Sequence, residues 1–288
     1  MSDKDTMRGG PSPLGPLYKE HLALGAAFER GVGGRLFPMA YEAEPSVAEG
    51  TPHLCDLAGS AYLLVCGPTA QEFVEMAFCG RRLAVGECAF EATLMGDGAL
   101  ASVALVARTG AQEYVLLDAS ERGELLAGWL GFLQGVEQGG QAPFAEVELS
   151  QADALLHPLL LWGPGSLDVL CDYVASRDLL PAAGHVSDLD LDRIHTVCMG
   201  VPGPAEAHVA LVPPDRAATL WRSLLSFTQV VPVGRGALRE AVAAAYPWGQ
   251  LLAMGQRLEP TEQTLRKLGL LRTDGGFVGA RAIGRGST

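Results

Sequence analysis

Asp188, Asp190 and Asp192 alternate along the chain, the spacing of hard oxygen ligands that opens a calcium-binding loop. Such a loop next needs a glycine at its sixth position for the sharp turn and a bidentate glutamate at its twelfth to close the coordination shell. Arg193 and Met199 stand there instead, so the run reads as an acidic turn. His185 and His195 flank it, but their spacing gives no helical histidine pair. They would join the aspartates around a metal only if the fold gathered them. Cys55, Cys66, Cys79, Cys88, Cys171 and Cys198 include no Cys-x-x-Cys pair, the spacing that zinc and dithiol chemistry use. Four of them lie in or beside apolar runs, where a free thiol packs as a small apolar group. Buried thiols in a reducing cytoplasm are expected, with no metal site. Phosphate-cradling glycine loops and the nucleophile elbow of hydrolases are absent, and Gly163-Pro164-Gly165 reads as a strand-to-helix turn.

The 288 residues, 48% hydrophobic, with a mean hydropathy of +0.19, suffice for one large or two modest globular domains. A net charge of −12 and a pI near 4.9 set up an average field that repels phosphate. This argues against nucleic acid or an anionic membrane as partner. No apolar stretch reaches the ~18 residues of a membrane span, and the first ten residues lack the apolar core of a signal peptide.

The elements that would position any chemistry are led by Gly86–Arg108. Phe90, Ala92 and Leu94 are spaced by two, as are Leu100, Ser102, Ala104 and Val106, on either side of Gly96-Asp97-Gly98. That pattern predicts a β-hairpin. Strands are also predicted over 62–66, 113–117, 145–149, 155–162, 193–199 and 207–212, and helices over 17–26, 70–78, 121–136, 166–179, 215–227 and 236–246. Residues 1–15 read as a flexible leader, and 135–143 as a linker.

The hairpin resembles the folate-binding region of the glycine-cleavage T-protein (aminomethyltransferase) family. Phe90 stands for the family's tyrosine, Asp97-Gly98 for its turn and Arg108 for its closing arginine, while Ser102 and Val103 occupy its acidic pair. The order of further segments is similar: Pro16-Leu17 with His21 and Gly25-Ala26, then Gly34, Pro38 and Tyr41, then Leu54–Ser60 with Asp56, and finally Asp274–Ile283. The resemblance implies an α+β fold, with mainly antiparallel sheets flanked by helices in two discontinuous domains; the family's further C-terminal barrel is not expected in a sequence that ends at Thr288. One domain would take 16–48 with 145–232, and the other 49–144 with 233–288.

The resemblance also implies a ligand, tetrahydrofolate, and a site. The family's catalytic carboxylate comes from the acidic pair, where Ser102 carries no charge and does not accept a proton near neutral pH. The tyrosine and glutamate that grip the pterin edge fall at Val201 and Val209, unless Glu206 or His208 reaches in. Arg239 is either a displaced folate-linked arginine or an exposed charge beside Glu240. Phe90 and Trp162 would supply stacking surfaces, and Ser102, Asp118 and Arg239 polar contacts. Two functions follow from the resemblance. One is a divergent tetrahydrofolate-linked methyl or aminomethyl transferase. The other is a non-catalytic folate-binding regulator, or a subunit working with a separately encoded partner protein. The iron–sulfur maintenance branch of the superfamily would need a cysteine where Gly276 stands.

Overall fold

The computed structural model describes residues 14–43, 50–137, 139–252 and 257–284. Most of the expected leader lies outside the described residues. In chain order the elements are α1 (Tyr18–Ala23), β1 (Ala26–Arg30), β2 (Leu36–Tyr41), β3 (His53–Asp56), β4 (Ala61–Cys66) and α2 (Ala70–Ala77). The hairpin β5 (Cys88–Leu94) and β6 (Leu100–Gly110), β7 (Glu113–Asp118), α3 (Gly123–Gln134), β8 (Glu148–Gln151), β9 (His157–Trp162) and α4 (Ser166–Cys171) follow. Then come β10 (Val186–Leu191), β11 (Ile194–Gly200), β12 (Ala207–Val212), α5 (Pro214–Leu225), β13 (Val231–Pro232) and α6 (Arg235–Ala245). Three short helices finish the described chain: α7 (Gly249–Leu252), α8 (Glu262–Lys267) and α9 (Ala280–Ile283).

Two sheets carry the architecture. One runs β5-β6-β7-β4-β8 and is antiparallel throughout; the other runs β10-β11-β12-β9-β3-β13 and is antiparallel except for β13 on β3. The expected α+β class with mainly antiparallel sheets and flanking helices is the one found. The central strands of both sheets are buried on both faces, and the edge strands β8 and β10 are partly exposed. In the first, Ala104, Val106, Tyr114 and Leu116 meet Phe73 of α2 and Leu126 and Leu130 of α3. The alternate residues Leu105, Ala107, Val115 and Leu117 meet Leu160, Val209 and Leu211 of the second sheet. The outer face of that sheet packs Leu159, Leu161 and Val212 under Leu220, Trp221 and Leu224 of α5. Each such leucine, fully enclosed, contributes roughly 1.5–3 kcal/mol of transfer free energy.

The hairpin forms as its pattern predicts, with Thr93 opposite Ser102. The Gly98 amide closes its turn onto the Met95 carbonyl at 2.9 Å, with Gly98 at a φ of 88° that a side chain rarely adopts.

Several local expectations are corrected. The aspartate run is a strand, not a turn. In β10 Asp188 and Asp190 face solvent while Leu189 and Leu191 face the core. The turn comes at Asp192 and Arg193, whose φ values of 49° and 65° suit a two-residue hairpin connection. The helix expected over 166–179 ends at Cys171, and the Tyr173 carbonyl accepts from the Asp192 amide instead, at 3.0 Å. The strand expected at 145–149 lies at Glu148–Gln151, where it finds the free edge of β4. β3 pairs with both β9 and β13, and β8 with β4.

Candidate functional site

A cavity of about 190 Å³ opens at one end of the layer between the sheets. Strand alternation decides what reaches it. On β6 the odd positions face the opposing sheet, so Val103 and Leu105 line the cavity while Ser102 points to the helix-covered side. Leu117 of β7, Leu160 of β9, Val209 of β12 and Val201 complete the sheet walls. Helix α6 adds Leu238, Arg239 and Val242, and Trp248 and Leu252 close the end. Phe90 lies on the wall with its ring 4.7 Å from that of Trp248 and 5.1 Å from that of Tyr246. Such tilted aromatic contacts hold a rigid apolar surface.

The polar groups gather at one side, where Asp118, Ser120, Glu121 and Arg239 border the cavity. Asp118 ends β7 and is buried. Its Oδ1 accepts from the Ser120 amide at 2.8 Å and its Oδ2 from the Ser102 hydroxyl at 2.6 Å. Burial raises its carboxyl above the ordinary range, against the opposing effect of these hydrogen bonds and of the Arg235 charge. Arg239 pairs with Glu121 at 3.2 Å across a partly exposed contact, while its Nε is enclosed and without a hydrogen-bond partner.

One turn before Arg239 on the same helix, Arg235 is buried, donating to the carbonyls of Ala58 at 2.7 Å and Ala119 at 3.3 Å. Its guanidinium lies 4.6 Å from the centre of the Phe37 ring, a cation–π contact. It fastens α6 to the loops after β3 and β7, and so fixes the cavity's polar side. Beyond it lies a buried cluster. Asp56 Oδ2 is 2.8 Å from His21 Nε2, and Oδ1 is 2.9 Å from His157 Nε2, the latter off the line of a hydrogen bond. Tyr41 Oη is 2.9 Å from His21 Nδ1. Burial alone would raise the Asp56 carboxyl, but the facing His157 and His21 hold it well below the usual carboxylate range. This cluster joins α1, β2, β3 and β9.

Of the residues singled out from the sequence, Phe90, Asp118 and Arg239 border one cavity, and Ser102 touches it only through Asp118. Trp162 is buried with its ring 5.2 Å from that of His53 and lies outside the cavity wall. Glu206 is exposed. His208 is buried, its Nε2 3.2 Å from the Pro181 carbonyl. Val103, the other member of the expected acidic pair, lines the cavity in place of Ser102, while Trp248 and Arg235 are not singled out in the sequence. The Arg235–Arg239 spacing of one helical turn was the available signal for the last. No group of three or more potential metal ligands occurs among the described residues.

Among solved structures the chain is similar to the glycine cleavage system aminomethyltransferase T from Bartonella henselae. The identity is 18% and the TM-score 0.67, over 94% of this chain and 74% of that one. A heterotetrameric sarcosine oxidase from Corynebacterium sp. U-96 is also similar, with 18% identity and a TM-score of 0.44 over 74% of this chain and 92% of that one. No family model matches the chain, and no curated protein does. The protein therefore has the T-protein fold, and what it does rests on its own site.

Proposed function

We propose that this chain is a non-catalytic, ligand-binding protein built on the T-protein fold, acting as a regulator or as a subunit beside a separately encoded partner. The observation that carries this reading is that Val103, Val201 and Val209 face the cavity. These are the positions at which the resemblance calls for a catalytic carboxylate and for the tyrosine and glutamate of a pterin clamp. Tetrahydrofolate presents the donor edge of its pterin ring, which a carboxylate grips by paired charge-assisted bonds. Valine offers none, exposed Glu206 does not border the cavity, and His208 is turned to Pro181. The residues present do not fit a pterin held by its edge. They suit a ligand with an apolar ring against Phe90 and Trp248 and a polar end beside Arg239.

The divergent transferase is the second reading, and Asp118 is the observation in its favour, being a buried carboxylate on the cavity wall with a raised proton affinity. Both of its oxygens are already engaged, however, one by the Ser102 hydroxyl of β6 and the other by the Ser120 amide in the turn before α3. A general acid or base must reach the proton it moves. A transfer assay decides between the two: the chain is incubated with 5-methyltetrahydrofolate or tetrahydrofolate and one-carbon donors or acceptors. The expected result is no turnover above the uncatalysed rate. Turnover abolished by Asp118→Asn would replace this proposal with the transferase.

A further inference from the structure

A second cavity, of about 260 Å³, lies at the opposite end of the layer between the sheets. On β6 and β7 the first cavity is bordered by Val103, Leu105 and Leu117, whereas this one is bordered by Thr109, Glu113 and Val115. Leu64 of β4, Val197 of β11 and Leu211 of β12 make its middle apolar.

Its two ends are chemically different. At the inner end Tyr62 forms part of the wall and is 1% exposed. Its hydroxyl hydrogen-bonds none of the described residues, and it is not one of the fully enclosed polar atoms that lack a partner. Burial and the nearby Asp153 carboxylate both raise the phenol's proton affinity, so it stays a neutral hydroxyl, able to donate and to accept. At the mouth stand Glu113 and Asp188, both exposed. Neither forms an ion pair with any described residue, and Glu113 accepts only a hydroxyl, that of Thr109, at 2.7 Å. The register fixes the separation. Tyr62 is opposite Leu117 and Cys66 is opposite Glu113, so the two ends are four residues apart along the strands, about 13 Å of backbone.

We propose that this cavity binds small amphiphilic amines. These would have an ammonium group at the Glu113–Asp188 mouth, an apolar aromatic body over Leu64, Val115, Val197 and Leu211, and a neutral hydroxyl at Tyr62. The site is independent of the first cavity and of the function assigned to it.

The test is calorimetric titration of the full chain with tyramine, with phenethylamine, which lacks the hydroxyl, and with hydroxyphenylpropanoate, which replaces the ammonium by a carboxylate. Tyramine is expected to bind saturably, about fivefold tighter than phenethylamine and about tenfold tighter than the carboxylate. Tyr62→Phe should erase the first preference. Glu113→Gln with Asp188→Asn, two exposed changes that leave the core intact, should erase the second. With methyl-labelled valines, tyramine should shift the Val186 and Val197 signals and leave those of Val103 and Val201 in place. Equal affinities for the three compounds, no saturable binding at low-millimolar tyramine, or shifts confined to Val103 and Val201 would each overturn the proposal.

Discussion

The Ser102 hydroxyl donates to Asp118 Oδ2 at 2.6 Å, joining β6 to β7 on the sheet face that the helices cover. The two residues form one structural unit. The serine satisfies a buried carboxylate oxygen, and the other oxygen holds the turn that launches α3. Leaving a buried acceptor without its donor costs about 1–3 kcal/mol. Ser102→Ala should therefore lower the unfolding free energy by about that amount in urea titrations, with an unchanged m-value. A loss confined to ligand binding, with stability intact, would place Ser102 in the cavity instead.

Asp56 gives a sharper effect. Its proton affinity is depressed by His157 and His21, so its contribution to stability is present above the ordinary carboxylate value of 3.8 and is lost as pH falls below it. Removing one member of a buried charged cluster costs about 3–5 kcal/mol. Asp56→Asn should lower stability by that order at pH 7 and flatten the acid limb of the unfolding curve. Thermal melts from pH 7 to pH 2 test both effects.

Glu91 acts in the opposite sense. It is buried on β5, its Oε1 accepts from the Arg81 amide at 3.1 Å, and Oε2 is enclosed without a hydrogen-bond partner. Burial, opposed by that hydrogen bond and by the Arg81 and Arg272 charges, pushes its carboxyl up to about 8. An acid with a raised folded-state value favours folding while protonated. Its contribution is complete below the ordinary value of 4.5 and is lost as pH rises through about 8. Over that interval the native chain should lose on the order of a few kcal/mol from this residue. Glu91→Gln should remove the slope, which denaturant melts at stepped pH would measure.

How far the sequence led is clearest on β6. The period-two pattern and the glycine turn predict the hairpin, because turn chemistry and alternation are local, but not the register shift beside Thr93 and Leu94. Which face meets the cavity was not legible. Ser102, Ala104 and Val106 are buried on one side, and Val103, Leu105 and Ala107 on the other. A strand covered on both faces carries no polarity signal to choose between them. Ser102 looked like the cavity residue for that reason, and Val103 is the one that lines it. Trp248 and Arg235 were missed because their roles come from packing between segments far apart in the chain. The cavity's aromatic end joins Phe90 to Tyr246 and Trp248. The aspartates of β10 misled for a simpler reason: solvent-facing positions of an edge strand and a polar turn have the same composition.

The most direct test of the central claim, that the first cavity does not grip a folate by its pterin, is calorimetric titration of the full chain with tetrahydrofolate. The prediction is no saturable isotherm up to high-micromolar ligand, and no strengthening in Arg239→Ala. A low-micromolar isotherm that Val201→Ala or Val209→Ala weakens would contradict it.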